Sequence, residues 1–96
     1  MTHANLIAEN RQQILQIVAA HRAAQPRIFG SVLHGDDSES SDLDLLVDPL
    51  PGATLLDLGG IQIVLEELLG IPVDVLTPGD LPVKFREQVL LEARPL

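Results

Sequence analysis

Ser41-Asp42-Leu43-Asp44-Leu45-Leu46-Val47 sets two acids among aliphatic residues with a period of two. That period belongs to a β-strand, and Leu43 to Val47 is predicted to form one, closed by the turn residues Asp48-Pro49-Leu50-Pro51-Gly52. Alternate side chains of a strand share a face, so Asp42 and Asp44 project together while Leu43, Leu45 and Val47 point the other way. At about 3.3 Å per residue, the two acids stand about 6.6 Å apart along the strand. Carboxylates at that spacing can flank and bridge hard cations, which take oxygen ligands.

Two further segments bear on this pair. Val73-Asp74-Val75-Leu76 is a second short apolar strand with one acid, and pairing of the two strands would bring three carboxylates to one face. Acids crowded on an apolar strand repel one another and lose hydration, and metal ions are the evident compensation. Two Mg²⁺ ions about 3.5–4 Å apart can align a triphosphate and an attacking oxygen for in-line displacement. Upstream, Phe29-Gly30-Ser31 is separated from Asp42 by ten intervening residues. Glycine lets backbone approach a phosphate closely, and exposed N–H groups with a serine hydroxyl can donate to its oxygens.

Around these segments the pattern predicts α-β-β-α-β-α. A helix is expected from Asn5 to Ala24, ended by Pro26, with Arg27-Ile28-Phe29 extended after it. The polar run His34 to Ser41 has loop chemistry. A second helix is expected from Thr54 to Leu69, open to a break at Gly59-Gly60 and stopped by Gly70. Pro78-Gly79 turns the chain into a last helix, Leu81 to Ala93. The 96 residues are expected to form one domain, with a core of Leu, Ile, Val and Ala because Phe29 and Phe85 are the sole aromatics. There is no cysteine, hence no disulfide, thiolate site or cysteine nucleophile.

A net charge of −8, without Trp or Tyr, argues against a surface that grips a nucleic-acid backbone or stacks on its bases. It favours cations, metal-bound nucleotides or a basic protein partner. No leader or membrane-spanning run is recognisable, so a soluble cytoplasmic domain is expected. Other polar residues have plainer expected roles. Asp36, Asp37 and Glu39 lack the spacing of a calcium loop and read as a solvated loop. Asp48 reads as a turn residue, His3 and His21 as exposed, and Lys84 and Arg86 as helix-surface charges. His34 fits either a phosphate neighbour or an ordinary loop position.

Phe29-Gly30-Ser31, Gly35, Ser41 to Val47 and Val73-Asp74-Val75 together resemble the minimal nucleotidyltransferases of the DNA polymerase beta superfamily. The resemblance runs from about Ile28 to the last helix. It implies an α/β nucleotidyltransferase fold, a small mixed sheet with helices packed on one face. It also implies that Asp42, Asp44 and Asp74 are catalytic metal ligands for two Mg²⁺ ions, and that Gly30 and Ser31 contact the nucleotide. Small members of the family are commonly antitoxins paired with a helical HEPN ribonuclease toxin, and some transfer AMP from ATP to a tyrosine of that toxin. The expected function is therefore transfer of a nucleoside monophosphate to a hydroxyl of a partner protein. The alternative is an antitoxin that neutralises its toxin by binding, with little or no turnover. Where family members often carry Arg before the second loop glycine, this chain has His34, preceded by Val32-Leu33.

Overall fold

In a computed structural model, which describes residues 3–35 and 41–96, ten elements follow one another. They are α1 (His3–Glu9), α2 (Arg11–Ala20), β1 (Ala23–Phe29), α3 (Ser31–His34), β2 (Leu43–Pro49), α4 (Leu55–Leu69), β3 (Val73–Leu76), a 3₁₀ turn (Pro78–Asp80), α5 (Val83–Glu92) and β4 (Arg94–Pro95). The strands form one mixed sheet in the order β3-β2-β1-β4. β2 and β3 are parallel and α4 is the crossover between them, while β1 runs antiparallel to both β2 and β4.

The alternation in β2 sets up the layers. Leu43, Leu45 and Val47 are fully buried and join Ile14 and Val18 of α2 and Ile61, Leu65 and Leu69 of α4 in one core. α2 lies on β1, α4 on β3, and the two helices touch each other, so this face of the sheet is closed. Leu46 points to the opposite face, where the 3₁₀ turn packs over β2 and Leu81 is also buried. Among the described residues, no helix is long and apolar enough to cross a membrane.

Several boundaries differ from the sequence reading, each for a local reason. The first helix is two helices. Asn10 sits at φ −110°, ψ 16°, its side-chain amide donating to the Leu6 carbonyl at 2.8 Å, a competition with the helix ladder that short amides offer. α2 ends at Ala20 rather than Ala24, since Arg22 takes a left-handed φ of 57°. Pro26 does not terminate a helix but lies inside β1, where the register shifts between Ala24 and Arg27. A bulge is one of the few places in a sheet that tolerates a missing N–H. The last helix begins only at Val83, and Arg94–Pro95 adds a strand beside β1 that its length concealed.

α4 passes through Gly59-Gly60 unbroken. At its N-terminus the Thr54 hydroxyl accepts from the Leu56 N–H while the Asp57 carboxylate accepts from the Thr54 N–H. Gly70 caps its other end in the left-handed conformation, φ 70°. Gly60 has a packing reason, because a Cβ there would come within 2.8 Å of the His21 ring. His21 is thus half-buried at the α2–α4 contact, its Nδ1 donating to the Ile17 carbonyl at 2.7 Å, rather than exposed. Gly59 has open space around it. Gly59→Ala should therefore raise stability by about 1 kcal/mol, the helix-propensity difference, whereas Gly60→Ala should not. Urea unfolding of the two variants checks this.

Candidate active site

Pairing places the acids. In the parallel register Leu43 faces Val73 and Asp44 faces Asp74, and on the other side of β2 Phe29 faces Asp44. Asp44 therefore sits in a row across three strands, with Asp74 beside it on the edge strand and the end of β1 on its other flank. Asp42 lies just before β2, where the Leu43 N–H donates to the Pro72 carbonyl at 2.9 Å. Asp42 and Asp74 are exposed while Asp44 is half-buried. Burial, then the charge of Asp74, then that of Asp42, push the Asp44 carboxyl up to about 6. The two strands pair as expected and set Asp44 against Asp74, with Asp42 one residue before β2.

Gly30 leaves β1 directly beside Asp44. It has φ +76°, a conformation that suits glycine, and a Cβ there would collide with the Asp44 carboxylate. Ser31 follows as the first residue of α3, and Gly35 closes that single turn in the left-handed conformation, φ 73°. The five residues named from sequence thus occupy one region, reached from the end of β1, the start of α3, β2 and β3.

The remaining candidates fall elsewhere. Asp48 is not in a turn but in β2, where Arg27 donates to it at 2.6 Å. That neutralises the acid and separates it from the cluster. His34 is exposed, its Nε2 3.4 Å from the Glu92 carboxylate at the end of α5. Lys84 lies over the Phe85 ring on α5. Arg86 donates to the Gly79 and Leu81 carbonyls, so it ties the 3₁₀ turn to α5 rather than reaching a ligand. Asp36, Asp37 and Glu39 lie outside the described residues. Two contacts near the site had no sequence signal, since their partners are distant in chain or in pattern. Glu66 of α4 accepts from the Val73 N–H at 3.0 Å, and His3, expected to be exposed, is buried with Nε2 3.0 Å from the Ser41 carbonyl.

The donors on this face are all carboxylate oxygens, the chemistry that hard divalent cations take. Burial, Asp74 and Asp42 all raise the Asp44 carboxyl, and a divalent cation held among these oxygens would offset the crowded charge. Among the described residues, no three such side chains converge on one point as a finished coordination shell. Like charges on neighbouring strands have no reason to converge until a cation draws them in, and the fit is one of donor chemistry rather than preset geometry.

The family described as nucleotidyltransferase domain matches residues 11–96. A Methanocaldococcus jannaschii protein provisionally named a protein adenylyltransferase is 38% identical over 87 residues, 91% of this chain and 94% of that protein. The protein adenylyltransferase MntA of Thermococcus cleftensis is 32% identical over 89 residues, 84% of this chain and 90% of its own length. A solved structure described as a minimal nucleotidyltransferase superposes with a TM-score of 0.86 at 46% identity, covering 100% of this chain and 97% of that one. A toxin–antitoxin crystal structure with AMP-PNP superposes at 0.74 with 18% identity over 90% of this chain and 71% of that one, a likeness of fold.

The acidity of Asp44 has a measurable consequence in metal-free protein. Its folded value, about 6, lies above the ordinary value of 3.8, so the folded state holds this proton more tightly than the unfolded state. Stability is unaffected by Asp44 below pH about 4, falls as pH rises through about 4 to 6, and stays lowered above that. In EDTA, Asp44→Asn should remove this slope and stabilise the protein at neutral pH, on the order of 1–2 kcal/mol once solvent screening is counted. Denaturant midpoints from pH 4 to 7 for wild type and variant test it; parallel curves would refute it.

Proposed function

Since the chain belongs to the nucleotidyltransferase domain family, we propose that it is a metal-dependent protein adenylyltransferase that moves AMP from ATP to a hydroxyl of a partner toxin. The observation that carries this reading is the placement of Asp44 against Asp74, with Gly30-Ser31 beside them. Relatives named as protein adenylyltransferases support the choice of reaction. A protein partner of HEPN type rests on the family resemblance, and the acidic charge of −8 suits a basic partner surface better than a nucleic acid.

In this reading, one domain spans residues 1–96 and Asp42, Asp44 and Asp74 hold two Mg²⁺ ions. Bound there, the ions would neutralise the triphosphate and stabilise in-line displacement at phosphorus. Gly30, lacking a Cβ, lets the loop backbone close on the phosphates, and the Ser31 hydroxyl donates to a phosphate oxygen. The acceptor hydroxyl oxygen forms a bond to the α-phosphorus as the bond to the bridging oxygen breaks and pyrophosphate leaves. Asp74, exposed on the edge strand, takes the hydroxyl proton. Asp44, most buried of the three, fixes the position of the cluster.

One observation favours the second reading, an antitoxin that acts by binding with little turnover. His34, at the position where the resembled family often has Arg, faces Glu92 instead of standing free for a triphosphate. One experiment separates the two. The protein is incubated with ATP, Mg²⁺ and the product of its adjacent gene, and complex formation and intact mass are recorded. Addition of one AMP to the partner supports transfer; a stable complex without modification supports occlusion; efficient transfer to free RNA overturns both.

Two variants test the site itself. Mg²⁺ and ATP should raise the melting temperature by ligand linkage, and Asp42→Asn with Asp44→Asn should abolish that shift. Ser31→Ala should reduce nucleotide use about tenfold, the loss expected for one hydrogen bond to a charged group, with the fold intact by circular dichroism.

A further inference from the structure

Among the described residues, His3 is the sole buried polar side chain, 6% exposed. Its Nε2 lies 3.0 Å from the carbonyl of Ser41, thirty-eight residues away in sequence. A carbonyl only accepts, so Nε2 carries the hydrogen and donates. Ser41 is the residue immediately before Asp42. On the far side of Asp42, the Leu43 N–H is held by the Pro72 carbonyl at 2.9 Å. The backbone is thus gripped on both flanks of an acid whose own side chain is left in solvent. Near Asp74 there is one such hold, for the Glu66 carboxylate accepts from the N–H of Val73, the residue before it.

Burying an imidazole in a domain this small costs free energy that an aliphatic residue would avoid. The hydrogen bond to Ser41 offsets part of that cost, and it fixes the peptide leading into Asp42. α1 also contributes Ile7 to the core and packs against α3, which begins at Ser31. The grip on Ser41 is therefore anchored to the same helix that supports the phosphate-facing loop. We propose that His3 is a positioning residue for Asp42, holding the Ser41 carbonyl so that the Asp42 carboxylate stands where a divalent cation can be shared with Asp44. This rests on the reading of Asp42 as a metal ligand.

The test uses Mn²⁺ as probe, with free ion measured by electron paramagnetic resonance, alongside melting temperatures. A glutamine amide nitrogen reproduces the reach of imidazole Nε2; an asparagine amide falls short and leucine has no donor. His3→Asn and His3→Leu should each weaken Mn²⁺ binding about tenfold, as loss of an outer-shell hydrogen bond does, and His3→Gln should return it close to wild type. His3→Asn combined with Asp42→Asn should bind Mn²⁺ no more weakly than Asp42→Asn alone, the non-additivity expected of coupled sites. Unchanged Mn²⁺ affinity in the folded His3 variants, with lowered melting temperature only, overturns the proposal, as does a His3→Gln protein no better than His3→Asn. If Asp42→Asn itself leaves Mn²⁺ affinity unchanged, the ligand reading fails and this inference falls with it. Should His3→Leu not fold, the comparison of His3→Gln with His3→Asn decides.

Discussion

The parallel pairing of β2 with β3 fixes where the acids of this chain must go. Leu43, Leu45, Val47 and Val73 are all essentially inaccessible to solvent. A slip of one residue would carry Asp44 into the core and expose its apolar neighbours. Burying each of these side chains contributes about 1.5–3 kcal/mol, and together they outweigh the penalty of holding Asp44 beside Asp74. The hydrophobic pattern thus imposes a crowding that electrostatics alone would oppose. A pair of crowded carboxylates at the sheet margin is the remainder of that contest.

The surrounding elements act as braces on this arrangement. α4 is fixed at both ends, by the Thr54–Asp57 capping box and by Gly70, and from its last turns Glu66 reaches the start of β3. Arg27 removes Asp48 from the electrostatic account by pairing with it across β1 and β2. Gly30 yields the space that the Asp44 carboxylate occupies. Some of these braces are local to one element and others join elements distant in sequence, and Glu66 holds the backbone next to Asp74 rather than its side chain.

That distinction explains what could be read beforehand. Asp42, Asp44 and Asp74 were legible because strand alternation is a local property, and Gly30-Ser31 because spacing to the acids is counted directly along the chain. The continuity of α4 was not, since Gly60 answers to a histidine ring on another helix. Pro26 misled for a similar reason: its usual role as a stop gave way to a bulge that only pairing with β2 creates. β4 is two residues long and carries no periodicity to detect. His3 and Glu66 make hydrogen bonds that no window of sequence contains.

The sheet order places Asp74 on an outer strand, and β4 closes the other side with Arg94 and Pro95. Outer strands offer unpaired backbone groups to any chain that can add alongside them, and short length, charge and proline discourage that addition. β3 is four residues long and bears its one charge at Asp74. The same carboxylate that crowds Asp44 therefore also guards the molecule against joining sheet to sheet with its neighbours. An acid set at a sheet margin carries solubility with it, and neutralising it alters how copies of the protein meet.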